Sequence, residues 1–220
     1  MSNDDIKIEL INDNKLLETN FISFKIIIVG ESGVGKSSLL KRAVKGKFNE
    51  IYQATIGFEF LLLHFKVNEL KFKLQIWDTC GQEMYRSLVQ GFYRNTSLAL
   101  IVYDVSDKKS YDNLDLWIKD IRKNTEQDLP IFVAGNKYDL ERKVPFEDAR
   151  VFTLSNRVKY FTECSAKTGY NVKDIFYEAA KHLYIIYKEY NAQNNLPSSG
   201  KLKIQNDTNQ ALDTKKRKCC

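Results

Sequence analysis

The sequence has 220 residues, of which 43% are hydrophobic and 28% charged, a composition typical of one globular domain with appendages. The net charge is +6, but residues 201–220 carry +4 of it, so the rest of the chain lacks the basic face of a nucleic-acid-binding protein. The four cysteines lack disulfide or zinc-site spacing, and no secretory signal or apolar run of ~18 residues is present, so we expect a cytosolic, reduced, monomeric protein.

The chain begins with a polar segment, residues 1–20, whose one apolar patch is at 8–11, and we expect a loosely held extension there. From residue 24, apolar runs rich in β-branched residues alternate with amphipathic patterns of helical period. Strand patterns cover residues 24–30, 58–67, 70–78, 97–104, 130–137 and 157–165, and helix patterns cover 36–44, 111–124, 145–156 and 172–190. This alternation predicts an α/β fold: a mostly parallel sheet covered on both faces, with one early antiparallel hairpin that turns at residues 68–69.

The stretch GESGVGKS, residues 30–37, lies between a predicted strand and a predicted helix and satisfies the pattern GxxxxGK[ST]. Its glycines let backbone N–H groups converge on an anion, and the helix N-terminus adds partial positive charge. Lys36 then reaches the β- and γ-phosphates, and the Ser37 hydroxyl binds Mg²⁺. The predicted phosphate-binding residues of this loop are Ser32, Gly33, Val34, Gly35, Lys36, Ser37 and Ser38.

Two motifs at strand ends predict which base is bound. NKYD brings Asp139 to the carboxyl end of a strand, where its carboxylate accepts hydrogen bonds from N1 and N2 of guanine, a pair that adenine does not offer. SAK follows the last strand and offers a backbone N–H to the guanine oxygen. The predicted guanine contacts are Asn136, Lys137, Asp139, Ser165, Ala166 and Lys167.

A third motif, DTCGQE, follows the strand pattern LQIW and carries the hydrolytic chemistry. Asp78 is predicted to hold Mg²⁺ through water, since hard cations prefer oxygen ligands. Gly81 lets the backbone approach a γ-phosphate, and Gln82 is the predicted catalytic residue that orients the attacking water.

The four motifs follow one another along the chain as GESGVGKS, DTCGQE, NKYD and SAK, each at the end of a strand. This order resembles the small GTPases of the Ras superfamily over residues 22–190. The stretches ATIGFEF, KLQIWDT, QEMYRSL, GFYRN and IVYDVS are most similar to the Rab branch. The resemblance implies a P-loop NTPase G domain of three layers, with a mostly parallel six-stranded sheet that has one antiparallel strand. It divides the chain into an extension (1–20), the G domain (21–190) and a hypervariable, disordered tail (191–220).

The resemblance also implies roles for residues outside the motifs. Thr55 matches the threonine that closes over Mg²⁺ and the γ-phosphate, and Tyr52 an aromatic residue that covers the phosphates. Phe48 matches an aromatic residue that packs against the guanine ring. Three aromatic residues match positions that Rab proteins expose to effectors, with core packing as the alternative: Phe60, Trp77 and Phe92.

By the same resemblance, the protein is a slow GTPase that converts GTP to GDP. Positioning and charge neutralisation replace covalent catalysis, so unaided turnover is expected on the order of 10⁻⁴ to 10⁻² per second. The implied partners are an exchange factor, a GTPase-activating protein, a prenylation escort, a GDP-dissociation inhibitor and effectors that bind the GTP state. Cys80 departs from the usual alanine, and Met84 and Tyr85 depart from the usual arginine and phenylalanine, which bears on the partners.

The chain closes on KKRKCC, and the two cysteines follow four cations. With Arg217 before the final residues this is no CaaX box, but it resembles the double-cysteine ending of Rab proteins, in which Cys219 and Cys220 carry geranylgeranyl groups. Two lipid chains anchor firmly, and each cation adds roughly 1 kcal/mol at an anionic surface. We expect the cytoplasmic face of an intracellular membrane, with a cytosolic pool.

Two other classes of function remain open from the sequence. A nucleotide-locked scaffold of the same fold would recruit partners without turnover, whereas Gln82 favours hydrolysis. A P-loop ATPase or kinase would share the phosphate loop, whereas Asp139 favours guanine.

Overall fold

The computed structural model describes residues 6–11, 20–50, 58–79, 93–125 and 128–193. The strands of this described part are β1 (Ile8–Ile11), β2 (Ile22–Val29), β3 (Phe58–Val67), β4 (Leu70–Thr79), β5 (Leu98–Asp104), β6 (Ile131–Asn136) and β7 (Tyr160–Glu163). Its helices are α1 (Lys36–Lys45), α2 (Lys108–Asp112), α3 (Leu114–Asn124), α4 (Phe146–Ser155) and α5 (Val172–Gln193).

All seven described strands form one sheet, in the order β1-β3-β4-β2-β5-β6-β7. Strands β4, β2, β5, β6 and β7 pair in parallel, while β3 pairs antiparallel with both of its neighbours. The predicted mostly parallel sheet with one antiparallel strand is therefore confirmed, and the sheet has one strand more than the six predicted.

The additional strand is β1, which comes from the N-terminal extension. Ile8 pairs with Val67 and Ile11 with His64, and Leu10 packs against the core on one face. The prediction of a loosely held extension is thus wrong for these four residues. Although the apolar patch is short, it pairs with the edge of β3. Backbone hydrogen bonds to β3 and burial of its apolar side chains together stabilise it.

The central strands are apolar along their whole length because the sheet is buried on both faces. Every residue of β5 and of β6 is buried, a pattern typical of parallel sheets. One core cluster lies between the sheet and helices α1 and α5, and a second lies between the sheet and helices α3 and α4. The result is the predicted three-layer arrangement.

The predicted helix at 111–124 is two helices, which meet at Asn113. The side chain of Asp107 accepts a hydrogen bond from the Lys109 N–H at 3.1 Å and caps the first helix, α2. The apolar face of the second helix, α3, is buried, and its members are Leu114, Trp117, Ile118 and Ile121.

The carboxyl ends of the parallel strands lie at one end of the sheet, and this end collects the predicted motifs. The phosphate loop follows β2, Asp78 is near the end of β4, and Asn136 ends β6. The hairpin turn at Asn68, predicted from the sequence, lies at the opposite end. No helix in the described ranges is long and apolar enough to cross a bilayer.

Candidate functional site

The phosphate loop connects β2 to α1 and depends on glycines at both of its ends. A Cβ atom at Gly30 would lie 2.1 Å from the carbonyl oxygen of Val102 on β5, so no larger residue fits without a shift of the backbone. Gly35 has φ of 94° and caps α1 in the left-handed conformation, which L-residues with side chains adopt at a cost. The loop can therefore turn its N–H groups inward at the start of the helix.

Lys36 crosses the mouth of this loop. Its ammonium donates to the carbonyl oxygens of Gly30 and Glu31, both at 2.7 Å, and its side chain is buried. A lysine buried in this way puts a fixed positive charge beside the loop, at the point where phosphate oxygens would lie. The position fits the predicted contact of Lys36 with the β- and γ-phosphates.

Asp78 is fully buried next to Ser37, the two residues predicted to hold Mg²⁺. Burial raises the pKa of Asp78 to about 6, and the nearby Ser37 hydroxyl and the Lys36 ammonium counteract that rise. Although Ser37 lies close enough to act on the pKa, neither carboxylate oxygen accepts a hydrogen bond of good geometry from the described residues. A buried, unpartnered carboxylate beside a hydroxyl is a donor set that suits a hard cation, so these residues fit Mg²⁺.

Asn136 joins the phosphate loop to the SAK loop. Its Nδ2 donates to the carbonyl oxygen of Val34 at 2.9 Å, and its Oδ1 accepts from the backbone N–H of Ala166 at 3.0 Å. In this structure the Ala166 N–H therefore donates to a side chain of the protein, Asn136. Asn136 itself is 1% exposed, so this bridge is an internal part of the site.

Asp139 and Lys137 are each held by a partner from a neighbouring segment. The Ser165 hydroxyl donates to Asp139 Oδ1 at 2.5 Å and accepts from the Thr168 N–H at 3.0 Å. Lys137, in the left-handed conformation with φ of 64°, forms an ion pair with Asp104 at 2.6 Å. The NKYD and SAK motifs are thus joined by hydrogen bonds, and their role as a base site stays a prediction.

The described aromatic residues of the predicted list differ in exposure. Phe48 is half-buried after α1 and packs against the core beneath the base site. Phe60 is 45% exposed, and its ring packs edge-on against Trp77 with 5.1 Å between centroids. Trp77 is half-buried, with the Lys25 ammonium over its ring. Its ring is therefore partly packed against the core and partly exposed, which agrees in part with each of the two alternatives given for it.

Two arginines and one tryptophan also support the site, and the sequence analysis missed all three. Arg42 donates to the backbone of the SAK loop, and Arg142 forms a two-bonded pair with the buried Glu163 at the end of β7. The Trp117 Nε1–H donates to the Glu31 carboxylate at 3.2 Å and ties the phosphate loop to α3. Each of them bonds to a partner at least 21 residues away in the sequence, so only the tertiary fold brings the two together.

The remaining predicted residues lie outside the described residues. They are Tyr52, Thr55, Cys80, Gly81, Gln82, Met84, Tyr85, Phe92, Cys219 and Cys220. Within the described ranges, no group of three or more His, Cys, Asp or Glu side chains could hold a metal ion. The Mg²⁺ site considered above uses one carboxylate and one hydroxyl.

Comparison with known proteins gives consistent matches. Residues 25–185 match the family model described as Ras family. Ras-related protein Rab5 of Nicotiana tabacum is 43% identical over 166 residues, which cover 74% of this chain and 82% of that protein. Ras-related protein RABA1b of Arabidopsis thaliana is 37% identical over 205 residues, covering 90% and 93%, and Ras-related protein Rab11B of Nicotiana tabacum is 40% identical over 163 residues, covering 73% and 75%.

Proposed function

The chain belongs to the Rab-type members of the Ras family of small GTPases, and from this premise we propose that it is a GTP-hydrolysing switch of vesicle traffic. Family membership gives guanine-nucleotide binding and GTPase activity in general. The timing, the partners and the membrane attachment are proposals argued below.

One observation carries the nucleotide assignment: Asn136 connects a phosphate loop to a base loop within hydrogen-bond distance on both sides. Beside it, Asp139 Oδ1 accepts a hydrogen bond from the Ser165 hydroxyl, which fixes this carboxylate after the end of β6. A carboxylate held in this way favours a purine with two adjacent N–H donors.

The base assignment is tested by Asp139→Asn, measured as competition between guanosine and xanthosine diphosphates for the purified protein. We expect the preference to shift toward xanthosine by roughly 100-fold, since an amide at this position matches the altered edge of xanthine. Asp115→Asn, the same change on the exposed face of α3, should leave the preference unaltered. An unchanged preference in Asp139→Asn would contradict the assignment of Asp139 to the base.

The hydrolytic step rests on Lys36, the loop amides and Gln82. Lys36 and the loop N–H groups would hold the phosphates and stabilise the charge that develops between the β- and γ-phosphates. Ser37 and Asp78 would hold Mg²⁺, which supplies further positive charge there when bound. Gln82 would orient the water, and a partner would accelerate the step, so we expect slow turnover by the protein alone.

Single-turnover release of phosphate separates this switch from a nucleotide-locked scaffold. The wild type, loaded with GTP, should release phosphate slowly, and Gln82→Leu should slow that release by a further tenfold or more. Absence of release from the wild type, with GTP shown to be bound, would support the scaffold.

The output of the switch is proposed to be conformational. Thr55 and Gly81 would contact the γ-phosphate and order their segments, and hydrolysis would release them. Effectors would then bind the ordered form next to Phe60. Capture of cytosolic partners by GTP-loaded Gln82→Leu should exceed capture by the GDP form and should fall in Phe60→Ala. Leu116→Ala, an exposed apolar residue of α3, is the matched control, and identical partner sets in both nucleotide states would count against a switch.

Membrane attachment is proposed through Cys219 and Cys220, with the preceding cations contacting anionic lipid. Mass spectrometry of the C-terminal peptide from cells should detect two prenyl groups. The double change of both cysteines to serine should move the protein to the cytosol, and binding to a GDP-dissociation inhibitor should be lost with it. Membrane retention of the double variant would contradict the proposal.

A further inference from the structure

Arg42 lies in the last turn of α1 and connects that helix to the SAK loop. Its Nε–H donates to the carbonyl oxygen of Ala166 at 2.8 Å, and one of its Nη groups donates to the carbonyl oxygen of Lys167. A third bond joins the other Nη group to the carbonyl oxygen of Gly46 at 2.8 Å. One side chain thus holds two consecutive carbonyl groups of the SAK loop against the C-terminal end of α1.

The same guanidinium also lies over the ring of Phe48. The distance from its central carbon to the ring centroid is 5.9 Å, within the range of a cation–π contact. Phe48 is the residue expected to pack against the face of the base, while the SAK loop is expected to read its edge. Both parts of the base site are therefore attached to Arg42.

Only an arginine can make this set of contacts. Its planar guanidinium carries five N–H donors in a fixed fork, which reaches three carbonyl oxygens while its face covers a ring. A lysine ammonium is a point charge on a flexible stem and has no flat face. Ala166 and Lys167 would lose fixed partners if the fork were removed, although α1 would keep its Gly46 cap, where the Gly46 N–H donates to the Arg42 carbonyl oxygen.

The first turn of α1 carries Lys36, so this helix reaches both halves of the nucleotide site. Arg42 follows Lys36 by six residues, which corresponds to about 9 Å along the helix. Asn136 makes a second connection between the same two loops on the inner side. Arg42 is the outer connection, and it is half-buried.

We propose that Arg42 is a positioning residue for the base, which fixes the SAK loop toward the 6-oxo edge of guanine and so sets the dwell time of the bound nucleotide. The inference deepens the proposed function and rests on it, because the ligand concerned is a guanine nucleotide.

The experiment measures dissociation of two nucleotides in excess Mg²⁺. One is GDP and the other is 2-aminopurine riboside diphosphate, which keeps the 2-amine that Asp139 would bind but lacks the 6-oxo group and, with it, the N1–H. Dissociation of GDP should become about tenfold faster in Arg42→Gln, the loss expected for a charged hydrogen bond. Dissociation of the analogue without the 6-oxo group should be much less affected. The ratio of the analogue's dissociation rate to that of GDP should therefore be smaller in the variant than in the wild type.

Two variants test whether the effect of Arg42 depends on the shape of its guanidinium or only on its positive charge. Arg42→Lys keeps the charge and should still behave like Arg42→Gln, whereas Lys45→Gln, an exposed cation of the same turn, should behave like the wild type. Circular dichroism of the GDP-bound variants checks folding, and Arg42→Lys alone decides if Arg42→Gln does not fold.

Wild-type rates and an unchanged ratio in Arg42→Lys would overturn the proposal, as would equal acceleration of both nucleotides. A wild type that does not prefer GDP over ADP would instead contradict the proposed function, so the two failures are distinguishable.

Discussion

Replacement of Asn136 by alanine tests the bridge on which the nucleotide site depends. The change removes the acceptor of the Ala166 N–H and the donor to the Val34 carbonyl oxygen. Val34 is 1% exposed and Ala166 3% exposed, so water cannot readily replace the lost partner at either. An unsatisfied buried group costs about 1–3 kcal/mol, so two of them predict a loss of about 2–6 kcal/mol in the free energy of unfolding. That is a large fraction of the stability of an ordinary domain.

The assay is urea unfolding followed by circular dichroism, in Mg²⁺ and at two fixed concentrations of GDP. Two concentrations are needed because bound GDP adds its own stabilisation, and weaker binding by the variant appears as a smaller shift between them. Asn156→Ala is the matched control, since it removes one hydrogen bond to the Phe152 carbonyl oxygen at a half-exposed position and should cost about 1 kcal/mol or less. Equal losses in the two variants would refute the reasoning, because the bridge would then matter no more than a surface bond.

Three further changes test other parts of the structure. Trp117→Phe should weaken GDP binding several-fold, as measured by titration calorimetry, because it frees the Glu31 carboxylate beside the phosphates. The double variant with Glu31→Gln should restore the binding. A double variant that binds no better than Trp117→Phe would mean that packing alone explains the effect. The pKa of Asp78 rises from 3.8 to about 6 in the fold, so its ionisation costs the protein without nucleotide and metal about 3 kcal/mol above pH 6 and nothing below pH 4. In EDTA without nucleotide, Asp78→Asn should therefore raise the Tm at pH 7.5 and flatten its decline from pH 4, and parallel declines would contradict this. Leu10→Asp should lower the free energy of unfolding in urea by roughly 1 kcal/mol or more through loss of apolar burial, while Glu9→Asp on the exposed face of β1 should not. Equal free energies in the two variants would mean that β1 contributes nothing.

The sequence predicts most of the sheet because its central strands carry a strong local signal. Strands β5 and β6 are continuous apolar runs. The short motifs also give a local signal: the loop that carries Lys36 follows β2, and the motif that carries Asp139 follows β6. The sequence predicts one helix where two meet at Asn113, because the apolar spacing continues across the break. The local signal for the earlier helix start is the N-cap residue Asp107.

Contacts between distant segments could not be predicted from the sequence. Arg42 is 124 residues from Ala166, and nothing in an amphipathic helix pattern distinguishes this arginine from a solvent-exposed one. The strand β1 is similar: three apolar residues and one glutamate in a polar segment form a strand only because the edge of β3 is there to pair with them. Long-range pairing of this kind depends on the whole fold rather than on local pattern.

The strand β1 and the last turns of α5 meet at the same end of the sheet, far from the phosphate loop. Asn68 donates to the Tyr184 hydroxyl at 3.0 Å and also bonds to Lys7, while Tyr187 packs against Phe72. The eight residues of β2 separate this end from the nucleotide by about 25 Å. A fluorophore attached at Lys7, just before β1, would therefore lie well away from the nucleotide site, which makes that position a suitable one for labelling the protein.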